Sequence, residues 1–271
     1  MVNYKDKSKE IRAGILKMIA SIGVGHVGGS LSIADVLSVL YFGVMNVDPK
    51  NPTLETRDRF VLSKGHAGPA LYATLALKGF YPMEDCYTLN QPGTNFPSHC
   101  DRLKTPGIDM TTGSLGQGIS PAIGMALGLK MKRNPANVYF IVGDGESQEG
   151  QIWEGAMLAA SRKLDNLIGF TDNNQFQLDG TVDEINRVDP LVDKWAAFGW
   201  EVFEVDGHDH EAIYETIQKA LQVKDKPSMI ILHTIKGKGA FFAEGKIASH
   251  SMTVTMDMAL EAIKQLNEEE T

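Results

Sequence analysis

The segment between Asn137 and Phe176 constrains the chain most. Two short apolar runs, NVYFIV (137–142) and NLIGFT (166–171), flank the helix-length stretch EGQIWEGAMLAASRK, and each run ends in a polar, oxygen-rich turn. Runs of β-branched and aromatic residues read as strands, and a helix between two of them makes a βαβ unit. Such a crossover joins parallel strands, so both strand ends emerge at the same edge of the sheet. At the first end stands VGDGESQEG, with Asp144 between Gly143 and Gly145; at the second stands TDNNQF, with Asn173 and Asn174. Asp144 and Asn174 are thirty positions apart, the length of strand, helix and strand. Their side chains can therefore converge at the carboxyl edge, where open α/β sheets bind ligands.

The rest of the chain repeats this grammar. Ile11, Ile15, Leu16, Met18 and Ile19 predict a helix over 5–22 that Gly23 stops. Ser32 stands as an N-cap candidate before IADVLSVLYFGV. RFVLSK (59–64) reads as a strand feeding through a glycine turn into the helix GHAGPALYATLALKG. Residues 80–112 hold Pro82, Pro92, Pro97 and Pro106 and predict a long irregular connection, a common place for function. A small-residue helix starts at Leu115; WEVFEV (200–205), a helix around 212–223 and SMIILHT (228–234) follow. The expectation is one α/β domain spanning 1–271, built on an open, mostly parallel sheet of four or five strands with helices on both faces.

Charge and cysteine usage remove several classes of function. The formal charge is -8, which argues against nucleic acid as a partner. No apolar run is long enough to cross a membrane, and MVNYKDKSKEIRAG lacks the apolar core of a secretory signal, so a soluble cytoplasmic protein is expected. Cys86 and Cys100 are too few for a disulfide framework. The acidic excess is local: residues 143–215 carry 4 basic and 17 acidic side chains. Solvated helix faces account for most such charge, and a cation site in that segment fits it too. A hard divalent cation takes carboxylate, amide and backbone carbonyl oxygens and leaves other positions to phosphate and water. Glycines at 143 and 145 let the backbone approach a diphosphate. GDG alone is common turn chemistry. Joined to NN at this spacing after two apolar strands, it points to a metal and diphosphate site.

GDG followed by NN resembles the cofactor-binding motif of thiamine diphosphate-dependent enzymes. GHVGGSLSIADVLSVLY (25–41), RFVLSKGHAGPALYATL (59–75), TTGSLGQGISPAIGMALG (111–128) and HTIKGKG (233–239) are similar, in order, to the amino-terminal, diphosphate-binding domain of transketolase. The resemblance implies that Asp144, the Asn174 side chain and the Phe176 carbonyl hold Mg2+, Ca2+ or Mn2+. It implies that His66, Gly113, Ser114, Leu115, Gly143, Gly145, Glu146, Asn174, Ile235 and His250 contact the cofactor. It assigns His26, His99 and His250 to sugar hydroxyls and proton transfer, and Glu149 to an interface between cofactor-binding halves. Lys236 and Lys238 can neutralise a phosphate or simply belong to a glycine-flanked surface loop. His208, His210 and His233 are taken as structural, and Met252, Met256 and Met258 as packing residues. Glu268, Glu269 and Glu270 read as a solvated, frayed end.

In transketolase-like enzymes a glutamate on a second, pyrimidine-binding domain activates the cofactor, and that domain also carries the arginines that bind sugar phosphates. Nothing here matches it. The resemblance therefore leaves two explanations, a piece of a longer enzyme or, as favoured here, the amino-terminal subunit of a split transketolase, completed by a carboxy-terminal, pyrimidine-domain subunit in an A2B2 assembly. Such an enzyme moves a two-carbon ketol unit from a ketose phosphate donor to an aldose. The alternatives are another thiamine-dependent carboligase, resembling deoxyxylulose phosphate synthase or a 2-oxo acid dehydrogenase component, and a homologue that binds the cofactor without turnover.

Overall fold

The computed structural model describes residues 2–268. Helix α1 (Tyr4–Ile22) begins where the Asn3 side chain accepts from the Lys5 and Asp6 amides and stops at Gly23, whose φ of 86° is open to glycine. A two-residue strand β1 (Val24–Gly25) follows and later pairs antiparallel with β7 (Met252–Thr253). The central sheet holds β2 (Arg59–Leu62), β3 (Val138–Gly143), β4 (Leu167–Asn173), β5 (Glu201–Asp206) and β6 (Ser228–His233). Its order is β2-β3-β4-β6-β5 and every neighbouring pair is parallel.

Alternation along β3 shows why both faces are covered. Tyr139 and Ile141 join a core with α1, α3 (Ala34–Val39), α4 (Gly68–Lys78), α9 (His210–Ala220) and α10 (Met256–Glu268). Val138, Phe140 and Val142 point the other way, into a core with α5 (Ile119–Met131), α6 (Gly150–Ser161) and α8 (Leu191–Ala197). A strand buried on both sides carries a continuous apolar run, as NVYFIV does. The shorter helices α2 (Gly28–Leu31) and α7 (Val182–Ile185) lie in the connections. The α/β architecture expected from the sequence is the one observed, with five parallel strands and helices on both faces.

Three local expectations are corrected. Ser32 is not an N-cap: its backbone is helical and closes α2, while its hydroxyl donates to Gly29 O and to Asp172 Oδ2 at 2.8 Å. The helix expected from Leu115 starts at Ile119, because Gly118 packs against Ser63 with no room for a Cβ and the preceding glycines remain loop. The pattern from Ile33 to Val44 gives a six-residue α3 followed by a wider turn over 40–44. Residues 80–112 are irregular apart from a short turn at 83–88. Met252 and Met258 pack against the core and Met256 is exposed. Glu269 and Glu270 lie outside the described residues.

Candidate active site

Parallel strands leave their carboxyl ends on one edge, and the chain returns there four times. After β2 it delivers Ser63, Lys64 and His66; after β3, Asp144, Gly145 and Glu146; after β4, Asn174 and Phe176; after β6, Lys236. These segments enclose a cavity of about 250 Å³, lined also by Gly29, Leu115, Gln148, Glu149, Gln177, Leu178 and His250.

Three oxygen donors meet on its wall. Asp144 is buried, its Oδ1 accepting from Gly145 N at 2.7 Å and its Oδ2 from Gln175 N at 2.5 Å. Burial, and then the neighbouring Asp172 charge, push the Asp144 carboxyl up to about 7. The Gly145 and Gln175 amides and the Lys64 charge oppose this rise without cancelling it. The Asn174 amide is oriented by its own Nδ2, which donates to Asp172 at 2.8 Å, turning Oδ1 to the other side, where it accepts from Phe176 N at 3.1 Å. The Phe176 carbonyl faces Lys236 Nζ at 3.4 Å. Carboxylate, amide and carbonyl oxygens suit a hard divalent cation. Among the described residues no group of three or more His, Cys, Asp or Glu side chains is placed to hold a metal.

The floor is an ion pair absent from the sequence expectations. Lys64 Nζ lies 2.6 Å from Asp172 Oδ2 and donates to Gly29 O at 2.7 Å, both side chains fully enclosed. Burial raises the Asp172 carboxyl, but Lys64 and hydrogen bonds from Lys64, Thr234 and Ser32 outweigh it and hold the group ionised. Glu146 is buried beside the cavity with its oxygens already engaged: Oε1 accepts from Ser63 Oγ and Gly116 N, and Oε2 from Gly143 N. It ties the glycine loop before α5 to the end of β3.

Of the two lysines in KGKG, Lys236 is not a surface-loop residue. Its side chain is buried and its Nζ donates to Gln177 O at 3.1 Å inside the cavity, and burial lowers the ammonium to about 8. Lys238 instead pairs with Glu244 at 3.2 Å outside the cavity.

Beside the cavity the imidazoles gather. The ring centroid of His26 lies 5.3 Å from His66, 6.0 Å from His99 and 5.5 Å from His250, and those of His66 and His250 are 5.2 Å apart. Burial, followed by His99 and Lys236, lowers His26; burial, followed by Lys64, holds His66 well below its ordinary value; burial, followed by Lys236, takes His250 to about 4. These three rings are neutral near pH 7, each able to donate through one nitrogen and accept through the other.

Of the residues singled out from sequence, His66, Leu115, Gly143, Asp144, Gly145, Glu146, Asn174, Phe176 and His250 line the cavity, with Glu149 at its exposed rim. Gly113, Ser114, Ile235, His26 and His99 do not; Gly113 packs under the His99 ring and Ile235 is partly exposed. Lys64, Gln148, Gln177 and Leu178 were missed. Lys64 had a usable signal, since it follows the end of β2 by two positions in the same motif as His66.

Comparison with known proteins matches this geometry to one family. The family model for the transketolase thiamine diphosphate binding domain matches residues 4–268. The 6-deoxy-6-sulfo-D-fructose transketolase subunit SqwG of Clostridium sp. (strain MSTE9) is 56% identical over 99% of this chain and 98% of its own length. An apulose-4-phosphate transketolase subunit from Phocaeicola vulgatus is 39% identical over 97% of this chain and 93% of its own. The crystal structure of transketolase from Campylobacter jejuni superposes with a TM-score of 0.92 at 33% identity, covering 98% of this chain and 43% of that one. This chain thus spans less than half the length of that solved transketolase. The chain belongs to the transketolase family, as its thiamine diphosphate-binding part.

Proposed function

We propose that the protein is the diphosphate-binding subunit of a two-chain transketolase, and that the cavity at the strand ends takes the diphosphate and metal end of thiamine diphosphate. The observation that carries this reading is the convergence in one cavity of Asp144, Asn174 and the Phe176 carbonyl with the Lys236 ammonium and His66. The oxygen set holds Mg2+, or Ca2+ or Mn2+ in its place. Lys236 would face the phosphate oxygens, and Gly145, whose amide is turned to Asp144, would let the backbone come close to them. Glu146, its carboxylate already engaged, keeps the two glycine loops in place. Gly113, Ser114 and Ile235 act through loop shape and the apolar rim.

Bound thiamine diphosphate supplies the carbanion chemistry that lets a C2–C3 bond of a ketose break and a two-carbon unit pass to an aldose. The chain's own part at the sugar falls to the imidazoles. His26, His99 and His250 present nitrogens to the carbonyl and hydroxyl oxygens; the neutral ring of His26 can accept a hydroxyl proton and return it, while His250, whose Nδ1 faces the Lys236 ammonium at 3.3 Å, donates through Nε2. The lowered values keep both rings uncharged near pH 7.

Two exposed apolar side chains on the cavity wall, Leu115 and Leu178, support a site closed by a second chain. The two relatives named above, which this chain covers over 98% and 93% of their length, are themselves named subunits. We assign the missing wall to a carboxy-terminal, pyrimidine-domain chain that brings the activating glutamate, in an A2B2 assembly. The 56% identity to a 6-deoxy-6-sulfo-D-fructose transketolase subunit favours a ketose with a sulfonate terminus as donor, ahead of a sugar phosphate. A cytoplasmic setting fits the two free, buried thiols Cys86 and Cys100.

Titration calorimetry of the chain with thiamine diphosphate tests the core of the proposal. Binding should require Mg2+ and vanish in Asp144→Ala; unchanged cofactor affinity in that variant would show the metal assignment wrong.

A further inference from the structure

Behind the cavity lies a second buried ionic group. Asp35 on α3 receives both terminal nitrogens of Arg12 from α1, Nη1 to Oδ1 at 2.8 Å and Nη2 to Oδ2 at 2.5 Å. Its Oδ2 also lies 2.7 Å from His208 Nδ1, and its Oδ1 3.0 Å from His210 Nε2. The other nitrogen of His208, Nε2, accepts from the backbone amide of Ile235 at 2.8 Å. An amide can only donate, so Nε2 must keep its lone pair and the ring proton must sit on Nδ1, facing the carboxylate. Arg12 completes the arrangement from its Nε, which donates to Lys238 O at 3.0 Å.

The two pins bracket Lys236. Ile235 N is held on one side and Lys238 O on the other, both through groups anchored on Asp35. The loop needs such support: Gly237 and Gly239 have φ of 79° and 84°, and no strand or helix runs through 234–239. The Lys236 stem is threaded tightly, since a Cβ on Gly28 would stand 2.9 Å from Lys236 Cγ. A small shift of the loop therefore moves the ammonium in the cavity.

We infer that Asp35, clamped by Arg12, fixes the tautomer of His208, and that His208 is a positioning residue that holds the 235–238 loop so that Lys236 meets the anionic end of the ligand. This rests on the cavity being a diphosphate site. It predicts energetic coupling between His208 and Lys236, which share no hydrogen bond.

The test uses the full chain, Mg2+ and inorganic diphosphate, with affinity read by calorimetry. His208→Phe, which removes the acceptor, should weaken binding roughly tenfold. His208→Gln, whose carbonyl reaches toward the place of Nε2, should stay within about threefold of the parent chain. Lys236→Gln should also lose roughly tenfold, and the double variant His208→Phe/Lys236→Gln no more than Lys236→Gln alone, where independent effects would multiply to roughly a hundredfold. If the parent chain binds no magnesium diphosphate, the reading of the cavity fails and this inference falls with it. If the parent chain binds and His208→Phe binds equally well, or the two losses multiply, the inference alone is overturned. Nitrogen-15 spectra of the unmodified chain give a check independent of how the variants fold. The His208 ring should carry its proton on Nδ1 with Nε2 bare, and a protonated Nε2 would overturn the inference.

Discussion

At the scale of single residues, Asp144 carries a pH dependence with a definite sign. Its folded value of about 7 lies above the ordinary 3.8, so the folded chain holds this proton more tightly than the unfolded chain. The group's stabilising contribution is complete below the unfolded value and is lost as pH rises through about 7. A divalent cation on the carboxylate replaces the proton and reverses the trend. Without metal, the thermal midpoint should therefore fall more between about pH 5 and about pH 8 in the parent chain than in Asp144→Asn. Millimolar Mg2+ should raise the midpoint of the parent chain near pH 8 and leave Asp144→Asn unchanged; identical behaviour of the two proteins would contradict the electrostatic account. Asp144, Asn174, Phe176 and His66 were legible in the sequence because each follows a strand end within one short motif. Asp172 was not, since its ion-pair partner Lys64 stands 108 positions away, and neither was the Asp35–His208 contact, which spans 173. Such pairs become visible only once the sheet brings the strand ends together.

At the scale of elements, the strands were the most legible feature. NVYFIV and NLIGFT need their apolar runs because helices cover both faces, and the register between β3 and β4 sets Gly143 opposite Asp172 at the edge where the cavity opens. Gly169 shows how tightly that sandwich closes: a Cβ there would stand 2.4 Å from Phe140 Cζ and 2.5 Å from Met229 Cε. Gly169→Ala should destabilise the chain by about 1–3 kcal/mol through overpacking, measured by urea unfolding, while the magnesium diphosphate affinity of the folded protein stays unchanged. Equal stability would mean that the two ring and thioether contacts give way freely. Helix starts were less legible, because tertiary partners decide them. The Ser32 hydroxyl is taken by Asp172 rather than by a helix amide, and the Gly118–Ser63 contact delays α5 to Ile119. The sequence pattern contains the residues but not the partners that compete for them.

At the scale of the whole molecule, the proposed reading makes the cavity one wall of a larger site. The chain places carboxylate, amide and carbonyl oxygens, a buried ammonium and a cluster of imidazoles on a single sheet edge, and it leaves Leu115 and Leu178 exposed beside them. Most residues that line the cavity could be read from motifs, whereas residues that a second chain would bring have no counterpart in this sequence. Ketol transfer measured with the purified chain, with its pyrimidine-domain partner and with both together tests the central claim most directly, using 6-deoxy-6-sulfofructose as donor, an aldose acceptor, thiamine diphosphate and Mg2+. The account predicts turnover only when both chains are present; full turnover by this chain alone, or none from the reconstituted pair, would contradict it.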